Sequence, residues 1–579
     1  MVKNNKTLGL ALLTALAASC SSDNDVAQSN NPVIENGEAA YATLRVDLPT
    51  QAGSRAVSYD DGDSTEYAVK DATLLVFKEV GSYEGAYTFS EAVNLGSLTF
   101  NSSTEGGVST EVTVKAKLTN YSSSNDYYAL VILNNTTESN GNKITLPTSG
   151  TYASWNNNAA NANATNMVDR TKGIVMANAP QWTTAGSTPT TLVHIDGSKV
   201  AASEDKATQP AADIHVERGL AKVTMEQPAA SYTTADGYNI SSVSVTGWAL
   251  DVTNKSSYPV HNIDNSVVTT PYADMWKETE NGENQVAVST VNGAGVNRFH
   301  DTTAGNPFKR VFWGYDPNYQ LGANYISDRN ALANCQNLFT MATANNISDK
   351  FTIDNPQYCL ENTFDINNMT QGQTTRVLIK GKITINGAST GDTIYRVGGQ
   401  KTLYTADNFK KYIQSAITAA TGKDGSKFTI NLDATGYDIT ATAGKHTLDA
   451  ANITAAEEGQ EALTKDEIIA VNNYLNNDIE TYLKGECYYV ARIQHFGATG
   501  ETPWQSGYET YGGDDLSFLG RYGVLRNNWY ALKVNSISGP GEPVIPPVVP
   551  GNPDDESEHY INLGVKILQW AKRSQNLDL

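Results

Sequence analysis

The sequence predicts a mainly β protein: two β-sandwich domains, the second with helical insertions, followed by an extension that carries one more strand. Three observations predict this. Tyr outnumbers Phe by 30 to 13, and Tyr and Thr favour strands. Short strand-like runs recur along the chain between Gly-, Asn- and Ser-rich loops. Only two segments carry an amphipathic helical stripe, and both lie in the second half. The 579 residues would allow about four domains of ordinary size, but β domains run large, so two plus tails fit as well.

Composition excludes several classes. Lys and Arg number 41 against 62 Asp and Glu, a net charge of −21, which argues against nucleic acid as a partner because phosphate binding needs concentrated cations. Charged residues make up 18%, below the globular average of about 25%, and the neutral polar surface suits an extracellular protein. At 40% hydrophobic the chain can still build cores, so full disorder is excluded.

The elements follow in order. Residues 1–19 read as a secretory signal: Lys3 and Lys6 precede the apolar run Leu8–Leu16, and small residues lead to Cys20. That run is too short for a bilayer, which needs about 20 residues. Small residues directly before Cys20 match a bacterial lipoprotein site, although Leu16 stands four places before the Cys rather than three; the alternative is ordinary cleavage beside an incidental Cys. Acyl chains on Cys20 would anchor the precursor to a membrane. Residues 21–39 are polar. In residues 41–49 the sequence alternates, with Ala42, Leu44, Val46 and Leu48 on one face and Tyr41, Thr43, Arg45 and Asp47 on the other, a half-buried strand. Residues 50–63 are loop-like, with Arg55 in the middle. Strands are then expected at 72–77, 127–133, 172–177, 214–225, 240–252, 376–385, 428–432, 486–493 and 529–537. Residues 155–164 read as an exposed low-complexity loop. Asp407 is expected to cap a helix with Phe409, Tyr412, Ile413, Ala416 and Ile417 on one face. Thr464 and Glu467 form a capping box for a helix with Ile468, Val471, Leu475, Ile479 and Tyr482 on one stripe. Residues 540–553 are Pro-rich, a polyproline-like spacer. Beyond it Ile561, Leu563, Val565 and Ile567 alternate on one face of a last strand.

No pattern of catalytic or metal chemistry stands out. The seven His are scattered, and no zinc, phosphate-loop, dinucleotide or nucleophile-elbow motif occurs. Asp60, Asp61 and Asp63 superficially resemble a calcium loop but lack its spacing. The chain is expected to be no enzyme and to need no cofactor. Cys335 and Cys359 form one disulfide or remain buried thiols; with Cys487 the number is odd.

The first and last strands share one binary pattern, and each is set apart by loop or Pro-rich sequence. Four such side chains bury roughly 6–10 kcal/mol before entropy, the arithmetic of a strand added to a sheet, so both would fit one groove at different times as removable and donor strand. The alternative is that both simply sit in the chain's own sheets.

Several segments resemble the fimbrillins of Bacteroidetes, the type V pilins, and specifically the stalk subunit of the minor-fimbria type. They are the lipoprotein signal with its following strand, the loop Gly53-Ser54-Arg55-Ala56, the run Gly523–Tyr530 leading into Lys533–Ile537 and a Pro-rich extension, the C-terminal run Val565–Trp570, and Val216–Val223. The resemblance implies transthyretin-like sandwiches at 56–228 and 229–539, a lipidated propeptide at 20–55 and a tether with donor strand at 540–579. It implies that an Arg-specific protease cuts between Arg55 and Ala56, removing the lipid (palmitate on Cys20) and the first strand. The donor strand of another copy then enters, building a head-to-tail fibre for adhesion and biofilm formation, with accessory anchor and tip subunits as further partners and the outer membrane as the precursor's site. Rival readings are a surface glycan-binding lipoprotein, with Trp155, Trp182, Trp276, Trp313 and Trp504 as sugar platforms, and a fimbrial tip or anchor subunit.

Overall fold

The structure is a computed structural model. It describes residues 34–35, 38–48, 66–100, 111–182, 189–234, 237–263, 288–291, 294–297, 308–318, 332–352, 355–363, 370–493, 495, 522–550, 552 and 561–569. The chain is mainly β and sandwich-like.

The first body holds one eight-stranded sheet. Its strands are β1 (Ala40–Asp47), β2 (Ala72–Lys78), β3 (Thr88–Gly96), β4 (Glu111–Leu118), β5 (Tyr127–Leu133), β6 (Met176–Asn178), β7 (Val193–Ile195) and β8 (Pro210–Arg218). The order is β3-β2-β5-β6-β8-β1-β4, with β7 paired to β5. The two ends, β3 and β4, pack against each other, so the sheet rolls around a core that includes Leu44, Val46, Leu74, Val131 and Ile214. Alternation drives this: in a strand every second side chain faces the same way.

The second body opens with β9 (Ala221–Met225), β10 (Ile240–Asp251), β11 (Gln357–Cys359) and β12 (Arg376–Ile385). An insert follows: β13 (Ile394–Val397), β14 (Leu403–Tyr404), helix α1 (Ala406–Thr421), β15 (Gly444–His446), helix α2 (Lys465–Tyr474) and β16 (Ile479–Tyr482). The chain returns to the second body with β17 (Glu486–Arg492), β18 (Asn528–Ile537) and β19 (Ile561–Gln569). Sheet β10-β12-β17 faces sheet β11-β9-β18-β19 across a core containing Val223, Trp248, Ile379, Tyr489 and Leu532. The insert has its own sheet, β14-β13-β16-β15, and its own core, where Phe409, Ile413 and Ile417 of α1 meet Ile468 and Val471 of α2. The helices therefore cover this insert rather than decorating the sandwich.

Several expectations shift. The run 214–225 is two strands, broken at Gly219–Leu220, and β9 pairs with β11 and β18, so its second half belongs to the second body, although it lies within the span 56–228 expected for the first domain. Thr405, not Asp407, caps α1; its side chain accepts from the Asn408 amide. The Thr464 capping box is present, but α2 ends at Tyr474. Asn476 and Asn477 then take φ of 58° and 52°, a left-handed exit that Asn tolerates, and Ile479 and Tyr482 belong to a strand. Trp155, expected in an exposed loop, is buried in a short helix, and its indole N–H donates to the Thr145 carbonyl at 2.7 Å. Cys335, Cys359 and Cys487 are buried free thiols, and burial pushes Cys359 and Cys487 up to about 12.

Candidate functional site: the slot of the first strand

β1 is an interior strand. On one side it pairs antiparallel with β4, from Ala40 opposite Leu118 to Asp47 opposite Glu111. On the other it runs parallel to β8, with Leu44, Arg45, Val46 and Asp47 facing Ala212, Asp213, Ile214 and His215. Ala40, Ala42, Leu44 and Val46 are fully buried and Leu48 nearly so. Without β1, therefore, β4 and β8 lose their shared partner and a long apolar groove opens between them. Although set apart by loop in the sequence, this strand sits in the chain's own sheet: its alternation fits an interior slot because the sheet needs an inward face there.

The outward face of β1 is polar. The Thr43 hydroxyl donates to the Ala207 carbonyl at 2.7 Å. Arg45 pairs with Asp213 at 2.6 Å and lies 3.9 Å from Asp47. The Asp47 carboxylate is 3.8 Å from the His215 ring, on which Phe308 stacks. Burial first and the Glu111 charge second raise Asp47 to about 6, against the pull of Arg45. Burial also lowers His215, so the imidazole offers Asp47 little positive charge.

Glu66 fixes the chain ahead of β2. Its fully buried carboxylate pairs with Lys222 of β9 at 2.8 Å and accepts the Tyr358 hydroxyl of β11. Its carbonyl accepts from Arg218 of β8 at 2.9 Å. Lys222 lies over the Trp529 ring at 3.8 Å, and the Arg218 amide donates to the Asn527 side chain at 3.2 Å. Beside this clamp Glu217 binds His261 at 2.6 Å and Arg310 at 3.1 Å, while Arg526 binds Glu361 at 2.8 Å. Asn527 adopts φ of 58°, and its amide donates to the Leu220 carbonyl at 2.8 Å. The sequence segments 216–223 and 523–530 thus meet in one buried polar cluster between the two bodies.

The last strand, β19, is an edge strand. It pairs antiparallel with β18 alone among the described residues, from Ile561 opposite Ile537 to Gln569 opposite Asn528. Ile561 is buried in the sandwich core and Leu563 packs beside it. Both terminal strands therefore occupy sheets of their own chain. The Pro-rich segment before β19 is laid on the body through residue 552, not held off as a free spacer. Extended proline-rich backbone has unpaired carbonyls, and here Gly539, Gly541 and Pro546 carbonyls accept from Tyr489, Tyr482 and Arg376.

Residues 480–576 match the family described as major fimbrial subunit protein type IV, fimbrillin, C-terminal. That span contains β17, β18, the turn at Arg526 and Asn527, the Pro-rich segment and β19. The chain is fimbrillin-like. Among curated proteins nothing matches it. A solved structure from Parabacteroides distasonis, a provisionally named cell adhesion protein, covers 92% of this chain and 100% of its own length at 11% identity and a TM-score of 0.33; a likeness that low carries no argument.

Of the residues predicted for this fimbrillin-like chain, Cys20, Arg55 and Ala56 lie outside the described residues. Ala42, Leu44, Val46 and Leu48 line the slot, and Ile561, Leu563, Val565 and Ile567 belong to β19. Trp155, Trp182 and Trp313 are buried, which removes them as sugar platforms; Trp276 and Trp504 lie outside the described residues. Among the described residues no cluster has metal-binding geometry and no helix is long and apolar enough to cross a membrane. The sequence reading missed Glu66, Tyr358, Glu361, His261 and Arg310. Nothing local marks them, since their partners lie far away in sequence.

Proposed function

We propose that the chain is the stalk subunit of a surface fimbrium, exported as a lipoprotein through Cys20, cut between Arg55 and Ala56, and polymerised when β19 of one copy replaces β1 of the next. One observation carries the reading: β1 fills an interior slot and joins the body through a chain segment whose two ends, Leu48 and Glu66, are both fixed. Arg55 falls between them. A cut there leaves Glu66 clamped to Lys222 and Tyr358, so the body keeps its start while β1 loses its covalent tie. Before the cut the tie holds β1 at high effective concentration. After it, β1 competes with strands from other copies on equal terms.

The two strands also differ in what they gain. β19 has one neighbour in its own sheet but would have two in the slot. A second ladder adds backbone hydrogen bonds worth about 1 kcal/mol each, which favours transfer from edge to interior. Because the slot and the donor lie on different surfaces, the contact is heterologous and propagates into a filament. The test compares wild type, Arg55→Ala and a deletion of residues 560–579 after an Arg-specific protease, on unheated denaturing gels. A heat-labile ladder is expected from wild type alone. Monomers throughout, with cleavage at Arg55 verified, would refute the reading, and a ladder surviving the deletion would place the donor elsewhere.

A further inference from the structure

The slot is better matched to β19 than to β1 at one position, and that position selects direction and register. β1 sets Asp47 directly opposite Glu111 on the antiparallel neighbour. Like charges directly opposite in a sheet repel. Asp213, on the parallel neighbour, adds a third carboxylate, while Arg45 is bound to it at 2.6 Å. β19 carries a cation, Lys566, and in its own sheet the residue opposite is the uncharged Ala531.

We propose that β19 of a second copy enters the slot parallel to β8, with Ile561 in the place of Ala42 and Lys566 in the place of Asp47, so that a Lys566–Glu111 pair replaces the Asp47–Glu111 pair and fixes the register. This rests on the strand-replacement reading above. Side-chain volume supports it. In this register Leu563, Val565 and Ile567 take the places of Leu44, Val46 and Leu48, nearly conserving volume, the change cores tolerate best. The site of Ala42 must enlarge for Ile561, and the fully buried site of Ala40 faces His559 where the ladder continues.

Other placements fail on the same surfaces. A slip of one residue turns Lys566 into the core, since it flips every side chain. A slip of two toward the start of the slot puts Ile561 and Leu563 where the fully buried Ala40 and Ala42 stand and Gln569 where Leu48 stands; a slip of two the other way carries Lys566 past the residue opposite Glu111. Reversed direction places Lys566 at Thr43, a buried site whose hydroxyl donates to the Ala207 carbonyl, and removes the cation from Glu111.

The test uses full-length protein cleaved by the Arg-specific protease and labelled synthetic peptides of residues 560–570. Bound peptide and released propeptide are both measured. Wild-type peptide is expected to bind roughly 3- to 30-fold more tightly than its Lys566→Glu variant. Protein carrying Glu111→Lys, an exposed edge position, should reverse that preference. A Lys566→Cys peptide should form a disulfide with Glu111→Cys protein, since directly opposite residues bring their Cβ atoms to about 5 Å; an Asn562→Cys peptide should not. Equal binding of all charge variants, or cross-linking through Asn562→Cys, overturns the register while leaving strand replacement intact. Failure of every peptide to displace the propeptide overturns both.

Discussion

Asp47 stands between Glu111 on β4 and His215 on β8, with Arg45 and Asp213 beside it, and this makes the hold of the first strand depend on pH. A carboxyl raised from 3.8 to about 6 binds its proton more firmly in the folded state than in the unfolded one. Its contribution is therefore most favourable below the unfolded value and is lost as pH rises through 6. Asp47→Asn should remove that fall. In uncleaved protein the variant's Tm should exceed wild type by about 2–4 °C at pH 7, and the two should converge near pH 4. Melting curves parallel across that range would show that Asp47 is not the group responsible. Glu66 is a buried carboxylate of another kind, paired directly with Lys222. Glu66→Gln leaves Lys222 buried without a counter-charge, and breaking such a pair costs about 3–5 kcal/mol. Urea titration should show that loss; an unchanged midpoint would mean the clamp is dispensable. The two residues also differ in legibility. The inward faces of β1 are readable because alternation is a local pattern. Glu66 is not, because its partners Lys222 and Tyr358 lie 156 and 292 residues away.

At the level of elements, the two terminal strands look alike in sequence and differ in neighbours. β1 has ladders on both sides, so its amides are held by β4 and β8. β19 has one ladder, to β18, so alternate amides point away from it. Native-state hydrogen exchange of the uncleaved chain should therefore find the slowest amides of 561–569 exchanging at least about tenfold faster than those of 40–47, the order expected for edge and interior positions. Equal protection would mean that β19 is held as firmly as β1 and is no ready donor. Binary pattern could not reveal this difference, because it reports which face is buried and not how many strands flank it. The same limit explains β9: its sequence AKVTM reads as a strand, but only pairing with β18, about three hundred residues on, assigns it to the second sheet. The helices were more legible because caps and stripes are local, although Thr405 outcompeted Asp407 for the cap by standing three residues before the amide that it accepts.

Across the whole molecule, the question is whether the two bodies move as one. Behind β2 and β5, Leu75, Phe77, Leu130 and Ile132 pack with Leu220, Leu360, Trp529 and Ala531 in one continuous core. The Glu66 clamp and the Glu217–His261–Arg310 cluster lie beside it. In the fibre proposed above, force would pass through this junction, from the slot in the first body to β19 in the second. Trp529 joins the shared core to the clamp: it fills that core, carries Lys222 on its ring, and its indole N–H donates to Thr224 at 2.8 Å. Truncating a buried Trp costs about 3–5 kcal/mol, and here the loss falls on the contact between bodies. Wild-type protein should therefore unfold the first body and the sandwich in one calorimetric transition. Trp529→Ala should separate them into two, with the Glu66 clamp released in the earlier one. A variant that melts lower but still in a single transition would place the coupling in the polar cluster instead. Arg526→Met, which removes the ion pair with Glu361 but keeps the shared apolar core, would then be the variant that splits the melt.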